Sequence, residues 1–373
     1  MKRLLMVCAA AGGALAAGAL DLAAWRGETV SAWLPAGERV GAAPAGFTVK
    51  TGVAHDVKYA PKPKAAERLV SKDRVVWGSK AEGPQVVQVQ VPADAKSGRY
   101  AIGDVTVRVV DRVLPPAKDW RYYLDLWQHP WAVARTAGVQ PFSKEHYAAM
   151  APLWKLLASA GQKALTTTLV DLPWNHQCHD GYGAMVTYVR RADGSTAFDW
   201  SLFDEYVAFG RACGLGPHIA CYTMCPWGYL VSWYDEAGKM QKAKAVPGTP
   251  FFKEYWGPFL AAFAAHLKEK GWFEDVYISL DERSPEDLRN TVDFLREKAP
   301  GMKIAMAGNR KPSAFKGIVL DSYSQSLGHV TPDFLAEVPQ RQKEGKVTTY
   351  YICCGPDWPN TFMDSELDEA FWC

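Results

Sequence analysis

The sequence predicts an N-terminal β-sandwich followed by a (β/α)₈ barrel of the TIM type. Three observations lead there. Up to about Val113, short alternating apolar runs are separated by Gly, Pro and Lys, the pattern of an antiparallel sandwich. After Pro115-Pro116 the period changes, and strand-like runs alternate with helical stripes, as repeated βα units require. Among them, Asp275 to Glu282 reads Asp-Val-Tyr-Ile-Ser-Leu-Asp-Glu, an apolar, β-branched run ending in two adjacent carboxylates. In a parallel barrel the C-terminal strand tips carry the chemistry.

The elements follow in chain order. Met1-Lys2-Arg3 leads into an Ala/Gly/Leu-rich stretch with small residues around Ala17 to Ala19, which predicts a signal peptide over residues 1–20 and a secreted or periplasmic protein. The apolar part is too short and too rich in Gly for a spanning helix, so no membrane insertion is expected. The sandwich occupies residues 21–115, with strand candidates at Glu28 to Leu34, Phe47 to Val53, Arg74 to Trp77, Val86 to Val91 and Val105 to Val110.

The barrel occupies residues 118–373. Its strand candidates are Tyr122 to Trp127, Ala164 to Val170, Pro217 to Tyr222, Val276 to Leu280, Lys303 to Ala307, Ile318 to Tyr323 and Thr348 to Cys353. Helical stripes lie between them, over Ser143 to Ala160 with Pro152 as a kink and over Pro250 to Lys270 with Phe259, Phe263 and Leu267 aligned. Ser284 and Pro285 read as the N-cap and first residue of another helix. The eighth strand of a barrel is not found, because the chain stops at Cys373 inside a helix-like run. The expectation is a chain lacking its last strand and helix, open beside Thr348 to Cys353 and a poor folder. A flavodoxin-like open sheet needs no eighth strand, but its glycine-rich phosphate loop is missing.

The net charge of +2 argues against nucleic acid as a partner. Aromatic residues make up 12% of the chain, and many sit near strand ends where their faces could stack on sugar rings, although core packing is the default for any single one. The tips carry Asp125, Trp127 and His129; Asp171, Trp174, Asn175 and His176; Tyr222, Met224 and Trp227; Asp281 and Glu282; Asn309; Asp321 and Tyr323; Tyr351, Asp357 and Trp358. His176, Cys178, His179, Cys221 and Cys225 match no common zinc spacing, so neither a metal nor another cofactor is expected. Beyond the signal seven cysteines remain, an odd number that does not read as a disulfide framework. Serine-hydrolase and dinucleotide motifs are absent.

Four segments together resemble glycoside hydrolase family 123: Trp25-Arg26-Gly27-Glu28, the run Val91 to Tyr100, Leu126-Trp127-Gln128-His129-Pro130, and Leu280-Asp281-Glu282. The resemblance implies a β-N-acetylgalactosaminidase with a sandwich ahead of a (β/α)₈ barrel, acting on a glycan or glycoconjugate with a terminal β-N-acetylhexosamine. It implies that the substrate's 2-acetamido group is the nucleophile, that Glu282 is the general acid and then the base, and that Asp281 holds the acetamido N–H. Family members run on through an eighth strand, so the resemblance also implies a shortened copy.

Neighbouring residues of a regular strand point to opposite faces, so both carboxylates can address one sugar only if the strand has ended by Asp281. Trp127, Trp174, Trp227 and Tyr323 are candidate walls around the sugar, with Asn175, Tyr222 and Asn309 as candidate hydrogen-bonding groups. Rival readings are a family-20-like β-N-acetylglucosaminidase and an inactive, truncated carbohydrate-binding protein.

Overall fold

The computed structural model describes residues 20–58, 70–79 and 82–351, and divides the chain into two compact units between Pro115 and Pro116. The signal-like stretch to residue 19 and the tip residues Asp357 and Trp358 lie outside the described residues.

The first unit is made of β1 (Leu20–Arg26), β2 (Thr29–Leu34), β3 (Thr48–Lys58), β4 (Val70–Trp77), β5 (Gln85–Gln90), β6 (Gly98–Ile102) and β7 (Val105–Val113). They form one sheet in the order β1-β7-β6 and another in the order β2-β5-β3-β4. Period-two alternation turns Leu22, Ala24, Val87, Val89, Ile102, Val105, Val107 and Val109 from both sheets into one buried cluster. β1 lies parallel to β7, with Leu22 opposite Val107, which corrects the expectation of a wholly antiparallel arrangement. No hairpin ties β1 to β7, so their direction is free, whereas β6 and β7 are joined by a two-residue turn and must be antiparallel.

In the second unit α1 (Pro130–Ala137), α2 (Lys144–Ser159) and β8 (Ala164–Thr168) are followed by β9 (Thr187–Arg190), β10 (Thr196–Asp199) and α3 (Ser201–Ala212). Then come β11 (His218–Tyr222), β12 (Leu230–Tyr234), β13 (Met240–Lys244), α4 (Pro250–Glu269), β14 (Val276–Asp281) and α5 (Pro285–Lys298). β15 (Lys303–Gly308), β16 (Ser322–Ser326), α6 (Pro332–Lys343) and β17 (Val347–Tyr351) complete the described chain. Six strands form one parallel sheet in the order β17-β16-β15-β14-β11-β8. Among the described residues this sheet is open, so the closed barrel expected from the sequence is reduced to a parallel half-barrel.

One face of this sheet builds the core. Val276, Ile278 and Leu280 pack with Phe252, Phe259, Phe263 and Leu267 of α4 and with Leu288, Val292 and Leu295 of α5. Burying each such side chain stabilises by about 1.5–3 kcal/mol, enough to orient the strand one way round. The opposite face therefore carries Tyr277, Ser279 and Asp281, in register with Ala220 and Tyr222 of β11 and with Lys303, Ala305 and Ala307 of β15.

The expected first strand, Tyr122 to Trp127, makes one bridge, Leu124 to Gln162. Side chains replace the rest of its ladder: Leu126 N donates to Gln162 Oε1 (3.0 Å) and Thr166 N to Gln128 Oε1 (2.8 Å). The sixth strand starts at Ser322, four residues later than expected. Ile318 and Leu320 pack into the core from irregular chain while Val319 turns to solvent, and Asp321 caps the strand entrance by accepting Ile304 N (2.8 Å). A second sheet, β10-β9-β12-β13, was not anticipated: its strands are short and half exposed, and they extend the connections after β8 and β11. α2 runs on through Pro152. Among the described residues no helix is long and apolar enough to cross a membrane.

Candidate active site

α5 opens with Ser284 Oγ accepting Asp287 N (3.1 Å), Pro285 in the first turn, and Glu286 and Asp287 at the positive end of the helix dipole. That cap stops the strand, and β14 ends at Asp281. Glu282 then adopts φ +46°, the left-handed region, which costs a residue other than glycine about 1–3 kcal/mol. Its N–H donates to the carbonyl of Ala307 on β15 (2.8 Å), which holds the turn. The reversal takes Glu282 out of the strand's alternation, and its carboxylate Oε1 accepts the phenol of Tyr351 (2.6 Å), on the face of β17 in register with Ser326 and Ser324.

Asp281 stays on the strand's inner face. Its Oδ2 accepts the Trp227 indole N–H (3.0 Å). Burial pushes its carboxyl up to about 6, the indole donor opposes that rise, and the charge of Glu282 adds to it. Arg283 braces the arrangement: its Nε donates to the carbonyl of Asp281 (2.7 Å) and its guanidinium lies 4.7 Å from the centre of the Trp227 ring.

Aromatic rings line the space beside the pair. Trp127 stacks on Trp174 with centroids 4.9 Å apart, and both rings contact Tyr222 at 4.8 Å. Trp174 and Tyr222 are buried, while Trp127 keeps 41% of its surface exposed. A flat apolar face beside two carboxylates is the combination a pyranose ring requires. Two residues before Trp127, Asp125 is half-buried, and desolvation of its carboxyl pushes it also up to about 6.

The other expected contacts divide. Tyr323 is a core residue, a correction to its expected role as a wall of the site: it is wholly buried on the helix-facing side of β16, beside Phe315, and its hydroxyl donates to the carbonyl of Arg310. The late start of β16 is the reason, since it places Tyr323 second in the strand instead of at its tip. Asn175 is exposed in a turn at φ +57°, a conformation asparagine tolerates well, and its N–H donates to Leu172 O (2.8 Å). Asn309 is exposed directly after β15, two residues from the carbonyl that holds Glu282. Cys221 and Cys225 are buried free thiols, and among the described residues no group of three or more His, Cys, Asp or Glu could hold a metal ion. Nothing in the chain points from Tyr351 to Glu282, because residues 69 apart carry no pairing signal in a single sequence.

Two adjacent carboxylates at a parallel sheet's carboxyl edge, with tryptophan faces beside them, are the arrangement a glycosidase uses. The model of the glycoside hydrolase 123 catalytic domain matches residues 127–373, and the chain belongs to that family. The fold is similar to the solved structure of a family 123 glycoside hydrolase from Clostridium perfringens, described for glycolipid glycan hydrolysis. The TM-score is 0.77 at 23% identity, covering 92% of this chain and 69% of that one. Among curated proteins nothing matches.

Proposed function

We propose that this glycosidase removes terminal β-linked N-acetylgalactosamine with retention of configuration, the substrate's own acetamido oxygen attacking the anomeric carbon. The observation that carries the reading is the left-handed Glu282, which leaves two adjacent carboxyls with different partners: Asp281 on an indole N–H and Glu282 on a phenol. Glu282 protonates the leaving oxygen, then as base takes a proton from the water that opens the oxazolinium ring. Asp281 as carboxylate accepts the acetamido N–H and offsets the positive charge on the ring. Trp127, Trp174 and Tyr222 form the apolar wall, and Trp227 orients Asp281. In the same reading the six-stranded sheet belongs to a (β/α)₈ barrel whose first segment is the run bridged at Leu124, and the Lys2-Arg3 start supports export.

The p-nitrophenyl glycoside of β-N-acetylgalactosamine is expected to turn over faster than the β-N-acetylglucosamine analogue and far faster than the plain β-galactoside, which lacks the internal nucleophile. Comparable rates on the plain galactoside would sink the mechanism. Because Asp281 must be ionised and its carboxyl is pushed up to about 6, kcat/KM should rise with pH along an acid limb centred there. A profile flat from about pH 5 to 7 removes Asp281 from this role.

A further inference from the structure

We infer that Tyr351 is a positioning residue for the acid: by donating to Glu282 Oε1 it leaves Oε2 as the oxygen that carries the transferable proton. The inference rests on the proposed role of Glu282. It stands on the 2.6 Å contact between the phenol at the end of β17 and the carboxyl just past β14, two strands that are not neighbours in the sheet. A carboxylic acid whose one oxygen accepts a phenol hydrogen bond keeps its own proton on the other. Glu282 is left-handed, so strand geometry alone does not fix where its side chain points, and an external anchor is required. Tyr351 is the last residue of β17 and pairs in register with Ser326, so the ladder with β16 fixes the backbone that carries the donor.

The proton balance of both steps runs through Oε2. In the first, its proton passes to the glycosidic oxygen as the C1–O bond breaks and the electron pair goes to that oxygen, leaving Glu282 ionised with Tyr351 still donating to Oε1. In the second, Oε2 takes a proton from water as the water oxygen bonds to C1. The oxazolinium C1–O bond breaks, and its pair returns to the acetamido oxygen. The titratable groups around Glu282 are Tyr351 from β17 and Asp281 on its own strand with Arg283 following, with the core residue Tyr323 of β16 within electrostatic reach behind the sheet; of these only Tyr351 bonds the carboxyl.

Tyr351→Phe keeps the ring and removes the donor. The kcat for substrates with poor leaving groups should fall roughly tenfold at little change in KM, while nitrophenyl substrates lose far less. A kcat and a leaving-group dependence equal to wild type would overturn the inference. If those persist while Glu282→Gln still loses its poor substrates, Tyr351 alone is discarded; if Glu282→Gln keeps them, the acid role of Glu282 falls first.

Discussion

Glu282→Gln is expected to lower kcat/KM by roughly 10²–10⁴-fold on alkyl glycosides and oligosaccharides and far less on nitrophenyl glycosides. Only a basic leaving oxygen needs a proton as its bond to C1 breaks, and glutamine has none to give. A glutamine at 282 keeps an oxygen that can accept from Tyr351 and the N–H that donates to Ala307, so the turn should persist and the loss reads on chemistry. The measurement is a plot of rate against leaving-group pKa for wild type and variant. A flat plot for the variant, parallel to wild type, removes Glu282 from the acid role.

Asp281→Asn is expected to slow every substrate, whatever its leaving group, by roughly 10²–10³-fold, because the charge that offsets the oxazolinium is gone. The same variant should be more stable than wild type at neutral pH. The folded carboxyl is raised from 3.8 to about 6, so the folded state holds this proton more tightly than the unfolded chain. Below the unfolded value there is no penalty; it accumulates as pH rises through the interval and is complete above the folded value, at about 3 kcal/mol. Melting curves of the two proteins should diverge from about pH 4 to pH 7, with the variant higher. Equal melting temperatures at neutral pH would show that Asp281 is accommodated without cost. A desolvated carboxylate on an indole donor and a left-handed glutamate both cost free energy that the core packed by α4 and α5 offsets.

Much of this site was legible in the chain. The run Val276 to Leu280 is long enough, apolar enough and sharply enough ended by Ser284 and Pro285 that local rules locate both its strand and its tip. Trp127, Trp174, Tyr222 and Trp227 were legible for the same reason, each lying at or just past the end of an apolar run. What misled was β16, Ser-Tyr-Ser-Gln-Ser, in which hydroxyl residues face the inner side and only Tyr323 and Gln325 turn to the core. Its apolar neighbours Ile318 to Leu320 look more like a strand and are not one. The segment before Trp127 misled differently: it has the pattern of a strand, but the side chains of Gln128 and Gln162 take the place of its backbone partners.

The sequence by itself determined that a strand ends in Asp281 and Glu282 and that a capped helix follows, because caps, proline and apolar runs act within a few residues. Tertiary structure alone decided what the two carboxyls do. The carbonyl of Ala307, 25 residues on, holds Glu282 in a conformation its own propensity opposes, the indole of Trp227 takes Asp281, and the phenol of Tyr351 takes Glu282. Each of these contacts joins strands or loops far apart in the chain, and its energy depends on burial and register that exist only once the sheet has formed.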